Sequence, residues 1–130
     1  MIKEFKKGEN SKVSEHFSTK EFDCHCKYPE CKITYIDTDH VANLEKLRVI
    51  FNSPIIIVSG FRCVMHNRDV KGKKGSAHLG GKATDIKIPG HSPDSVAMKC
   101  EWFDGLGRYD TFTHIDSRGY KARWDERNEK

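Results

Sequence analysis

The chain has 130 residues, 36% of them hydrophobic and 32% charged, with a mean hydropathy of −0.71. That length allows one modest core and excludes a second independent one. No apolar run approaches the roughly 20 residues a membrane helix needs, and the longest, Ile55-Ile56-Ile57-Val58, is strand-sized. The net charge of +4 is carried by interspersed lysines and acids, which reads as an ordinary solvated surface rather than a site for nucleic acid.

In chain order, residues 1–13 are lysine-rich and without period, and the expectation is a loose arm. Ser18-Thr19-Lys20-Glu21 is a capping box that opens a short helix. Cys24 to Tyr35 reads as loop. Asp37 or Thr38 then caps a longer helix with Val41, Leu44, Leu47 and Phe51 on one face, stopped at Asn52-Ser53-Pro54. Ile55 to Ser59 is a buried strand, and a helical segment around Met65-His66-Asn67-Arg68 follows the turn at Gly60. After a glycine- and lysine-rich loop, Ala83 to Ile88 is a second strand. Ser92-Pro93 starts a helix with proline at its first position, and Val96, Cys100 and Phe103 form its apolar face. Gly107 to Tyr109 and Phe112 to Asp116 form a hairpin. Residues 125–130 read as a charged tail, with Trp124 placed to pack back. The expected fold is a small single α+β domain over residues 14–124, its helices on one side of an antiparallel sheet.

Five cysteines, Cys24, Cys26, Cys31, Cys63 and Cys100, cannot all pair. Met1 to Lys7 lacks the apolar stretch of a secretory signal, so reduced thiols are the default. A second zinc on Cys24, Cys26 and Cys31, or a disulfide among them, stays open, although C-x-C-x4-C is not the usual knuckle spacing.

The most informative stretch is Ser76 to Ile86. It sets His78 and Asp85 seven residues apart across a glycine-rich turn, and Thr113-His114-Ile115-Asp116 adds a second histidine. Two imidazoles and a carboxylate are the ligand set of a catalytic zinc, which keeps its fourth position open and brings bound water to ionise near neutral pH. Residues i and i+2 of a strand share a face, so Asp116 points the same way as His114, about 7 Å further along. His16, His25, His40, His66 and His91 read as ordinary hydrogen-bonded residues. Gly75 to Gly80 has the glycine spacing of a phosphate loop, but glycine rather than lysine follows.

These elements resemble the zinc D-alanyl-D-alanine carboxypeptidase family of peptidoglycan peptidases, in particular its short phage-type members. The resemblance runs from about Phe17 to Trp124. It is carried by Phe17-Ser18-Thr19-Lys20-Glu21-Phe22-Asp23-Cys24, by Ser59-Gly60-Phe61-Arg62, by the S-x-H-x6-D element, and by Gly105-Leu106-Gly107-Arg108-Tyr109 leading to Phe112-Thr113-His114-Ile115-Asp116. It implies one zinc per chain, held by His78, Asp85 and His114. It implies that Arg62 faces the substrate, where it can steady an oxyanion.

The general base departs from the family pattern, since Thr111 and Phe112 stand where relatives carry an acid or a histidine. Asp116 and Asp110 remain. Asp116 is preferred for its shared strand face, and a supporting role for it, orienting a ligand histidine, is the alternative. The resemblance implies a hydrolase of peptidoglycan stem peptides or cross-links; a monomer with no nucleic-acid partner and no membrane insertion is expected. The expected setting is a phage endolysin made in the cytoplasm and released through a holin. The competing expectation is a wall-binding module that kept this fold without its chemistry.

Overall fold

Alternation along three short strands separates an apolar face from a polar one, and this organises the molecule. The computed structural model describes residues 1–128. A five-stranded sheet runs in the order β3 (Ile56–Ser59), β4 (Ala83–Lys87), β6 (Thr113–Asp116), β5 (Gly105–Arg108), β7 (Ala122–Asp125). A separate ribbon pairs β1 (Ile2–Lys6) with β2 (Ile33–Asp37). The helices are α1 (Thr38–Phe51), α2 (Val64–Asp69) and α3 (Pro93–Met98), with 3-10 turns at Thr19–Phe22 and Ala77–Gly80.

On one face of the sheet Ile86, Leu106 and Ile115 form a single buried cluster with Val41, Leu44 and Leu47 of α1 and Val96 and Ala97 of α3. Burial of each such aliphatic side chain contributes about 1.5–3 kcal/mol. Because side chains alternate along a strand, Asp85, His114 and Asp116 fall on the opposite face. The α+β architecture is thus as expected, with α1 and α3 on the face away from the polar residues.

The local signals act as read. The Asp37 carboxylate accepts from the Asp39 N–H at the start of α1. Asn52 ends that helix in the left-handed region at φ 47, two residues before a proline that cannot continue it. Ser92 caps α3 by accepting from the Ser95 N–H, and the Ser18–Glu21 capping box is formed.

Four expectations are corrected. Residues 1–13 are not a loose arm throughout, because β1 pairs antiparallel with β2 from Ile2 opposite Asp37 to Lys6 opposite Ile33. Loop therefore ends at Lys32 rather than Tyr35. The ribbon has no apolar alternation to announce it, and its partner strand rather than its own pattern orders it.

The sheet is mixed, not purely antiparallel, because β7 lies parallel to β5. Arg123 holds it there, donating to the carbonyls of Asp104 (2.7 Å) and Glu101 (2.8 Å). The charged tail begins later than residue 125. Asp125 is the last residue of β7, and the Arg127 guanidinium bonds both Asp125 (2.9 Å) and Asp94 (2.6 Å). Residues 129–130 of that tail lie outside the described residues.

Candidate metal centre

Asp85 and His114 are directly opposed across the β4–β6 ladder, and Ala83 is opposed to Asp116. The sheet register therefore brings together residues 29 apart in sequence. His78 arrives from the 3-10 turn before β4. The Ser76 hydroxyl accepts from the His78 N–H at 3.2 Å. Gly81 then leaves the turn at φ +71, where a Cβ would lie 2.2 Å from the Tyr35 carbonyl oxygen. Only glycine fits there, which accounts for the glycine three residues after His78.

The hydrogen bonds set the tautomers. His78 Nδ1 lies 2.7 Å from the Gly60 carbonyl oxygen, an acceptor only, so Nδ1 carries the proton and Nε2 presents a lone pair. His78 Nε2 is buried and has no hydrogen-bond partner among the described residues, although Asp85 Oδ1 stands 3.3 Å away. On His114, Nε2 faces Asp116 Oδ2 at 2.7 Å and Nδ1 faces Asp85 Oδ1 at 3.0 Å. One ligand atom from each of His78, Asp85 and His114 lies within 4.8 Å of the others, and all three residues are buried.

Nitrogen and carboxylate donors at this spacing suit a zinc ion, and an orphaned buried imidazole nitrogen is the atom such an ion satisfies. Burial pushes the Asp85 carboxyl up, but the hydrogen bond from His114 and the adjoining His78 ring outweigh it and hold the group well below the usual carboxylate range. The site thus keeps a negative charge ready for a cation.

Asp116 is fully buried. Besides His114, its oxygens accept from Arg118 Nε (2.9 and 3.0 Å), Arg118 Nη2 (2.6 Å) and the Arg118 N–H (3.1 Å). Burial raises its pKa, but the bonds from His114 and Arg118 outweigh that and hold it well below the usual carboxylate range, so it stays ionised. Both oxygens of this carboxylate are thus engaged, one of them by His114, which is the arrangement of a carboxylate that orients a histidine. Gly105, opposite Asp116, makes room for the clamp, since a Cβ there would lie 2.0 Å from Asp116 Oδ2.

Asp110 is exposed in the turn between β5 and β6. Its hydrogen-bond partner among the described residues is the Asn128 N–H, at 3.3 and 3.2 Å from its two oxygens. Arg62 sits at the edge of the centre. Its Nη2 is 3.4 Å from Asp85 Oδ2, and its Nη1 donates to Asn67 Oδ1 at 3.0 Å.

Trp124 packs on His114 with ring centroids 4.8 Å apart. Arg118 lies 5.1 Å and Lys73 5.9 Å from the Trp124 ring centre, so cations border the site. Arg118 was not singled out from the sequence. Its signal is the opposite charge two residues beyond Asp116, which only strand geometry makes meaningful.

The remaining histidines lie elsewhere. His40 is buried with both nitrogens partnered, by Ser117 Oγ at 2.8 Å and Thr84 Oγ1 at 3.0 Å. Burial lowers its pKa to about 3, so it is neutral. His16 pairs with Glu45 and His91 packs on Phe51.

A buried centre of two histidines and one carboxylate, on one face of a small α+β sheet with an arginine at its rim, is the arrangement of a metal-dependent hydrolase. The model of the family described as Peptidase M15 matches residues 15–116. The chain belongs to the peptidase M15 family and is a metallopeptidase; peptidases of this family are zinc-dependent. No curated protein gives a match.

Proposed function

We propose that this chain is a zinc-dependent peptidase that hydrolyses peptide bonds of peptidoglycan stem peptides or cross-links, with the ion held by His78, Asp85 and His114. The observation that carries the reading is the buried, unpartnered His78 Nε2, which converges with Asp85 and His114 on one point. Zinc bound there supplies Lewis acidity and a water of lowered pKa. The protein supplies the rest. Gly60 and Asp116 lock the two imidazoles in the tautomers that leave one lone pair each facing inward. Arg62 presents a guanidinium at the rim, where negative charge develops on the carbonyl oxygen under attack. The border of Arg62, Lys73 and Arg118 favours a substrate carrying carboxylates, as stem peptides do.

With Asp116 engaged by Arg118, Asp110 in the turn before β6 is the carboxylate proposed to take the proton and pass it to the leaving amine. A phage endolysin is the setting we propose, and it rests on the resemblance to short phage-type members.

Digestion of purified muropeptides, read by mass spectrometry, tests the reading. Loss of a terminal D-alanine marks carboxypeptidation, and conversion of cross-linked dimers to monomers marks endopeptidation. Either product should vanish on chelation and return with zinc. Binding to walls with no product released would identify the inactive module instead.

Two further results are expected. Arg62→Lys keeps a charge but not the planar fork of donors, so kcat should fall by roughly 10²–10³ with zinc content unchanged. Parent-like turnover would reduce Arg62 to a structural partner of Asp85. Zinc affinity should weaken as pH falls through neutrality. Burial lowers the His114 pKa, but Asp116 and Asp85 raise it above the ordinary value overall, so protons compete for the ligand atom over that range. Competition titration against a chelator at several pH values reads this directly, and a flat profile would remove His114 from the ligand set.

A further inference from the structure

We infer that Cys24, Cys26, Cys31 and Cys63 form a second metal site, which binds one structural zinc ion through four thiolates. The four sulfur atoms all lie within 4.8 Å of one another. Cys63 Sγ stands 3.7 Å from Cys24 Sγ and 3.8 Å from Cys26 Sγ. A tetrahedral ion with metal–sulfur bonds of about 2.3 Å sets sulfur atoms about 3.8 Å apart. A disulfide needs about 2.05 Å, and all four thiols are free. The span has room for one ion and not for a cluster of several, and four sulfurs around one tetrahedral centre select zinc among common divalent metals.

The surroundings suit a thiolate site. The Cys63 N–H points to Cys24 Sγ and the His66 N–H to Cys63 Sγ, each at 3.4 Å. Lys7 Nζ lies 3.4 Å from Cys26 Sγ and 3.3 Å from the Cys26 carbonyl oxygen, so a cation faces the net negative charge of a zinc tetrathiolate. Cys24 and Cys31 are buried with Phe61 in a small core of their own. Three ligands come from the loop between the Thr19–Phe22 turn and β2, and the fourth is the first residue after Arg62.

The location gives the ion a task. The Phe61 N–H bonds the Phe22 carbonyl at 2.9 Å, and the Arg62 N–H bonds the His78 carbonyl at 3.2 Å. The segment Gly60–Cys63 thus carries the acceptor for His78, the guanidinium at the rim and one thiolate. Zinc at the cysteines would fasten the 24–31 loop to this segment and hold Arg62 and Gly60 in place. The metal assignment does not depend on the reaction proposed at the other centre, whereas the positioning role rests on that reading.

The test uses the full chain, purified with reductant, stripped of metal and reloaded with cobalt or zinc. Cobalt in the thiolate site should give intense sulfur-to-metal charge-transfer absorption in the near ultraviolet, which the histidine and carboxylate centre cannot produce. Two zinc ions per chain are expected. His78→Ala should lose one equivalent and keep the sulfur band, whereas Cys26→Ser/Cys31→Ser should lose one equivalent together with the band. Absence of the band in the cobalt-loaded parent protein would overturn the proposal without any reliance on the variants. So would a mass four hydrogens short under reductant, which marks two disulfides, or iron as the metal retained on purification. If Cys26→Ser/Cys31→Ser folds, its Arg62-dependent kcat should drop more than its content of the other zinc; unchanged turnover would overturn the positioning role.

Discussion

Replacing His78 by alanine is expected to remove one equivalent of zinc from the chain and to bring hydrolysis to the detection limit. His78 supplies a lone pair that nothing else in its surroundings uses, since its other nitrogen is committed to the Gly60 carbonyl. Without it, Asp85 and His114 remain as a two-ligand set, too few for the three protein ligands of a catalytic zinc. Cavity formation at a buried histidine costs stability as well, so metal content must be read on folded protein, with circular dichroism as the control. Asp85→Asn gives a second reading with little change in volume. It should lose the same equivalent, because it takes away the negative charge that the ion balances. Full zinc in either variant would mean that the ion sits elsewhere.

The second large effect separates Asp110 from Asp116. Asp110→Asn should keep the fold and the zinc and lower kcat by roughly 10²–10⁴, the usual contribution of a positioned acid–base group. Asp116→Asn should act differently. The amide cannot accept the full set of bonds from Arg118 and His114, so the imidazole loses its fixed orientation, and zinc affinity should fall by about 10–100-fold. Activity of Asp116→Asn should then recover in large part at saturating zinc. Metal titration followed by turnover at each zinc concentration distinguishes the two. If Asp116→Asn holds zinc normally and is inactive, the proton passes through Asp116 despite its clamp, and Asp110 has no catalytic part.

Local signals in the sequence sufficed wherever the physics was local. The caps at Asp37 and Ser92, the stop at Asn52-Ser53-Pro54 and the apolar face Val41-Leu44-Leu47 depend on neighbours two to four residues away, and all stand in the structure. The hairpin of β5 and β6 was legible for the same reason. So was the shared face of His114 and Asp116, since period two within one strand is a property of the chain itself. The spacing of His78, Asp85 and His114 was visible in the sequence, and folding brings the three side chains together.

What required the tertiary structure is whatever depends on a distant partner. Strand β1 has no periodic pattern and exists through its pairing with β2. The parallel placement of β7 follows from Arg123 reaching back to carbonyls near residue 104. The bonds from Arg118 to Asp116 engage a carboxylate that a strand face alone leaves free. Cys63 stands alone in sequence, 39 residues from Cys24, and joins the other thiols only because the turn after β3 folds against the loop before β2. Sequence spacing identifies which donors the chain owns, but the tautomer, the free lone pair and the fourth sulfur are set by contacts between segments that meet only on folding.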